Sequence, residues 1–107
     1  MEFFLQKDNV MDIKTDILTR LRAKKGEVER RYHVKRMGLF GSYSRGEQRA
    51  GSDIDILVDF HDGADLFDLA GLKNYLEETL QTRVDVIPAR ALRDELKTAV
   101  LADVKYV

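Results

Sequence analysis

No cysteine occurs in the 107 residues. That excludes a disulfide framework and a thiolate metal site, and makes the cytoplasm the expected setting. Proline is confined to one position, Pro88. No repeat, low-complexity stretch or linker breaks the chain, so a single domain over residues 1–107 is expected. No apolar run approaches the length that crosses a bilayer. The opening cluster Phe3-Phe4-Leu5 is interrupted at once by Lys7 and Asp8, unlike a secretory leader. A dominant charge is missing too: the net charge is −1, which gives no support to a dedicated nucleic-acid binder.

That balance hides an asymmetry. Residues 1–52 carry 12 Lys/Arg against 7 Asp/Glu, whereas residues 53–107 carry 6 against 12. The basic share gathers in Arg20, Arg22, Lys24, Lys25, Arg30, Arg31, Lys35 and Arg36. With Glu27 and Glu29 among them, the run reads as the solvated face of a helix; a phosphate- or RNA-facing surface is the alternative.

Periodicity supplies the elements. From Met11 to Arg22, Ile13, Ile17, Leu18 and Leu21 recur at helical spacing, with Gly26 expected to end or kink the helix and Val28–Tyr32 to add a turn. Met37-Gly38-Leu39-Phe40 reads as a short strand, and 41–52 as a loop with a short helix. Asp53–Phe60 alternates at period two and is the clearest strand. Leu66, Leu69, Leu72, Leu76 and Leu80 mark a second helix, with Asp65 as its N-cap. Arg83–Ile87 forms another strand, closed by Pro88. A last helix places Leu92, Leu96, Ala99 and Val100 on one side. The fold class is α/β (α+β): a small mixed sheet, three-stranded or slightly larger, packed with helices. The short first connection favours an antiparallel pair and the helical second one a parallel crossover.

Within this frame, Asp53 and Asp55 share one face of their strand, and Ile54, Ile56 and Val58 the other. Side-by-side carboxylates repel and lose hydration, a cost that a hard divalent cation offsets. A merely polar outer face is the alternative, but Leu57 continues the aspartate face, where a solvated strand would carry another polar residue. Asp85, between Val84 and Val86, would stand beside the pair after a parallel crossover and complete a two-metal site. Its alternative is an edge aspartate facing water. Gly41-Ser42, directly after a strand, suits a phosphate cradle, with Arg45 one turn later. His33 and His61 read as surface residues, not zinc ligands.

Gly41-Ser42, ten intervening residues, Asp53-x-Asp55 and a later strand aspartate together resemble the DNA polymerase beta-like nucleotidyltransferase superfamily. The likeness is closer to its minimal nucleotidyltransferase (MNT) branch, marked by Gly-Ser-x-x-Arg-Gly followed by Ser-Asp-x-Asp, and runs from Lys35 to Val107. The resemblance implies a polymerase-palm-like fold and transfer of a nucleoside monophosphate, with pyrophosphate leaving. It implies Asp53, Asp55 and Asp85 as ligands of two Mg2+ ions, with Asp85 also helping to deprotonate the acceptor. Gly41 and Ser42 would hold the terminal phosphates of ATP. Arg45 would have a phosphate-binding or motif-structuring role. The resemblance further implies a HEPN-type toxin as partner, AMP transfer to a tyrosine of that toxin, and an antitoxin role. Neutralisation by covering the partner, with Phe3, Phe4, Tyr106 and Val107 as part of the interface, is a second reading. Nucleotidylation of RNA is a third. Direct nucleic-acid binding and membrane association are not expected.

Overall fold

The computed structural model describes residues 12–107. Within them run α1 (Ile13–Tyr32), β1 (Val34–Phe40), α2 (Ser42–Arg45), β2 (Ile54–Phe60), α3 (Leu66–Leu80), β3 (Val84–Pro88), α4 (Asp94–Asp103) and β4 (Lys105–Tyr106). A 3-10 turn covers Ala89–Ala91. The strands form one sheet in the order β3-β2-β1-β4. β1 is antiparallel to β2 and to β4, and β2 is parallel to β3. The mixed sheet and its crossover are as the connection lengths predict, with β4 an added strand. The residues before Asp12, including the Met11 helix start and the Phe3-Phe4 cluster, lie outside the described residues.

Asp12 caps α1 by accepting from the Thr15 N–H at 2.8 Å. The helix does not end at Gly26. It continues to Tyr32 and stops where His33 turns left-handed at φ 59°. Leu21 and Val28, seven residues apart on one face, are both fully buried. Their packing outweighs the roughly 1 kcal/mol that a helical glycine costs. On the exposed side, Arg20 pairs with Asp16 and Arg31 with Glu27 at i,i+4 spacing. In α3, Asp65 and Asp68 form a reciprocal capping box. Leu72, Leu76 and Leu80 are buried, but Leu66 is 79% exposed. It occupies the first helical position, and the helix meets the core only from Leu69 onward.

The main core lies between one face of the sheet and α1 plus α3. Met37, Leu39, Ile54, Ile56, Val58, Val84 and Val86 meet Ile17, Leu21, Val28, Leu72 and Leu76 there. The opposite face carries a row set by register: Phe40 opposes Asp55, which opposes Asp85. Leu57, next along that face, is buried. In α4 only Val100 is buried; Leu92 precedes the helix and is half-buried, while Leu96 and Ala99 are exposed. The expected apolar stripe is thus only partly sealed against the sheet.

The chain end is tied down. β4 pairs with β1, and the Val107 N–H donates to the Met37 carbonyl at 3.1 Å. Val107 packs on the core. The Tyr106 ring stacks on Arg36, 3.9 Å from guanidinium carbon to ring centroid. Gly38 makes this possible, because a Cβ there would meet Val104 at 2.7 Å and the Lys105 carbonyl oxygen at 3.0 Å. Tyr106 and Val107 are therefore committed to the fold. Among the described residues, no helix is long and apolar enough to cross a membrane.

Candidate active site

Three elements converge on the row of residues that crosses the sheet. β2 presents Asp55 at its second position, β3 presents Asp85 as its direct partner, and β1 ends in Phe40-Gly41 on the other side. Gly41 takes φ 78° and ψ −154°, a region that only glycine occupies without strain. It also lies against Asp55, so any Cβ would run into that carboxylate. The chain turns here into α2, where the N–H groups of Ser44 and Arg45 donate to the Gly41 carbonyl at 3.0 and 3.1 Å. The N–H groups of Ser42 and Tyr43 are left at the open end of the turn.

Asp55 is the most perturbed of the three aspartates. Its pKa is raised to about 6, first by burial and then by the negative charges of Asp85 and Asp53, with Arg45 partly opposing. Asp53 is about half exposed and ion-pairs with Arg83 at 3.2 Å, while Arg83 also donates to the Gly51 carbonyl at 3.1 Å. Asp85 is exposed at the rim. As placed, no group of three His, Asp or Glu side chains among the described residues is gathered closely enough to cage a metal. The donor set nonetheless fits one. Its oxygens are hard, two of its carboxylates stand in register, and Asp55 carries an electrostatic cost that a cation would relieve.

Arg45 is engaged by two carboxylates. Its Nη1 donates to Asp103 at 2.6 Å and its Nε to Glu47 at 2.9 Å. Ser44, the buried polar residue of this loop, donates its hydroxyl to the Asp103 carbonyl. The end of α4 therefore fastens α2 from 58 residues away. Of the residues singled out by sequence, Gly41, Asp55 and Asp85 stand side by side. Asp53, expected to open the strand, instead precedes β2 and turns to Arg83; Ser42 opens α2, and Arg45 pairs with Asp103 and Glu47. Asp103, Ser44 and Arg83 escaped the sequence reading. Ser44 occupies a variable position of the motif, and nothing local distinguishes Asp103 or Arg83 from surface charges. His33 is exposed and bonds Asp68 at 3.0 Å, and His61 is exposed as well.

A cavity of about 460 Å³ is lined by Phe40, Ile87, Leu92 and Leu96 together with Asp55 and Asp85. Another hollow, of about 350 Å³, lies among Arg20, Lys24, Tyr75 and Glu78, and touches none of the site residues.

Known proteins share both sequence and fold with this chain. The protein adenylyltransferase MntA of Thermococcus cleftensis is 42% identical over 87 residues, 81% of this chain and 88% of that protein. A solved structure provisionally described as a minimal nucleotidyltransferase superposes with a TM-score of 0.69 at 39% identity, covering 91% of this chain and 97% of that one. A chain from the complex of a tri-AMPylated Shewanella oneidensis HEPN toxin with its MNT antitoxin superposes with a TM-score of 0.54 at 27% identity. The match covers 87% of this chain and 66% of that one. Residues 21–107, which hold the aspartate row and the Gly41 turn, match the nucleotidyltransferase domain profile, and the chain belongs to that family.

Proposed function

We propose that this protein is a Mg2+-dependent adenylyltransferase that moves AMP from ATP to a tyrosine hydroxyl of a HEPN-type toxin, and so acts as an antitoxin in the cytoplasm. The observation that carries this reading is the row Gly41–Asp55–Asp85, which sets an anion-compatible turn and two carboxylates side by side on one sheet face. The relatives support the chemistry: one is named for protein adenylyl transfer, and another comes from a complex of an AMPylated HEPN toxin with an MNT antitoxin.

Asp53, Asp55 and Asp85 would hold Mg2+, which when bound neutralises triphosphate charge and lowers the pKa of the attacking hydroxyl. The Ser42 hydroxyl and the backbone of the Gly41–Tyr43 turn would bind the β- and γ-phosphates through donated hydrogen bonds. Asp85 would orient the acceptor hydroxyl and take its proton as the oxygen–phosphorus bond forms. The bond from the α-phosphorus to the bridging oxygen breaks, and pyrophosphate departs in line. Arg45 would keep the turn in shape through Asp103 and Glu47.

The test is incubation with Mg2+, a co-encoded HEPN-type protein and ATP labelled at either the α- or the γ-phosphate. Label from the α position alone is expected on the partner, and none with Asp53→Ala/Asp55→Ala. Tight binding and full neutralisation by the double variant would instead establish the covering reading.

A further inference from the structure

We infer that the cavity beneath α4 is the acceptor subsite, and that it selects a hydroxyl carried on an aromatic ring. The inference rests on the adenylyl-transfer reading and adds to it the residues that choose the acceptor. In-line displacement requires the attacking oxygen and the departing pyrophosphate on opposite sides of the phosphorus. Across the sheet, the Gly41 turn flanks Asp55 on the β1 side and Asp85 flanks it on the β3 side. Phosphates held at the turn thus leave the attacking oxygen to come from the Asp85 side.

The cavity meets that requirement. It takes in Asp55 and Asp85 but not Asp53, Gly41 or Ser42. Its volume of about 460 Å³ falls in the range of roughly 300–1,000 Å³ typical of small-ligand pockets. Phe40, Ile87, Leu92, Leu96 and Val100 give it apolar walls. A ribose acceptor would leave its remaining hydroxyls unpaired against those walls, and an adenine edge would find no set of donors and acceptors to read it. A phenol fits both ends: the ring is buried on leucine and phenylalanine, and the hydroxyl reaches the carboxylates. Leu96, 47% exposed at the mouth, is the residue an entering ring would cover.

The experiment is methyl NMR of the full chain with Mg2+ and a non-hydrolysable ATP analogue, titrated with N-acetyl-tyrosinamide or N-acetyl-serinamide. The expected result is movement of the Ile87, Leu92, Leu96 and Val100 methyls with the tyrosine compound only. Leu96→Gln, at a half-exposed position that tolerates change, is expected to weaken tyrosinamide binding about tenfold while the affinity for the analogue holds. Filling the cavity with Ala91→Leu is expected to do the same. The inference is overturned if the analogue alone shifts these methyls and Leu96→Gln weakens it, because the nucleobase then occupies the cavity. It is overturned equally if both amides act alike or neither acts. Binding needs no turnover, so a protein that binds the phenol here yet transfers no AMP would contradict the adenylyltransferase reading and leave the subsite standing.

Discussion

At the scale of single residues, Asp55 bears the electrostatic cost of the site and the missing side chain of Gly41 makes room for it. Gly41 is held at a backbone conformation that costs other residues about 1–3 kcal/mol, and a methyl there would also displace the Asp55 carboxylate. Gly41→Ala is therefore expected to lower stability by that order in chemical denaturation. It should also cut AMP transfer by about a hundredfold, since misplacement near 1 Å costs as much. A protein with normal transfer would contradict the fit. Asp55 makes a second, independent prediction. It keeps its proton to about pH 6 in the folded protein but only to 3.8 in the unfolded chain. The folded state then binds more protons between these values, so the Asp55 contribution to stability falls as pH rises through that window. In EDTA, Asp55→Asn should melt near wild type at about pH 4 and progressively above it by about pH 6. A constant gap across the range would mean that Asp55 is not electrostatically strained. The place of Asp55 could be found in the sequence because alternation sets it with Leu57 on the face opposite Ile54 and Ile56, whereas Asp53 precedes the strand and pairs with Arg83. The size of the perturbation could not, since it depends on Asp85 and on burial beneath another element.

Among the elements, the short helix α2 depends most on its neighbours. A single turn of helix has little stability of its own, and here the Arg45–Asp103 pair and the Ser44 hydroxyl brace it against α4. The two ion-pair side chains are 44% and 21% exposed, so a modest coupling is expected. A double-mutant cycle with Arg45→Ala and Asp103→Ala should give about 0.5–1 kcal/mol, together with a raised KM for ATP in each single variant. Additive losses would show that the pair does not brace the turn. β4 is held in a comparable way through Gly38. Gly38→Val should force it off β1, costing about 1–3 kcal/mol and removing hydrogen-exchange protection from the Val107 N–H that bonds Met37. Strong periodic segments such as α3 and β2 were legible from sequence nearly to their ends. β4 was not, because two residues with no alternation become a strand only when an edge is offered to them. Gly26 misled for the converse reason: its local preference was real, but the burial of Leu21 and Val28 on either side decided the matter.

At the scale of the whole molecule, the sheet divides two tasks. One face is sealed by α1 and α3 and supplies the stability. The other bears the charged row, Leu57 and a loosely covering α4, and is the face on which the proposed chemistry would occur. That division was visible in the alternation of β2, but the cavity was not, because its walls come from β1, β3 and α4 together. Mg2+ at about 100 times its dissociation constant should stabilise the wild type by about 2.7 kcal/mol and leave Asp53→Ala/Asp55→Ala unmoved, as thermal melting would reveal. The central claim, that the aspartate row transfers AMP, meets its most direct test in intact-mass spectrometry of a co-expressed HEPN-type partner. With the wild-type chain, the partner should gain the mass of one or more AMP groups and lose its toxicity. With Asp53→Ala/Asp55→Ala, it should stay unmodified and toxic. An unmodified partner that is neutralised equally by both forms would contradict the account.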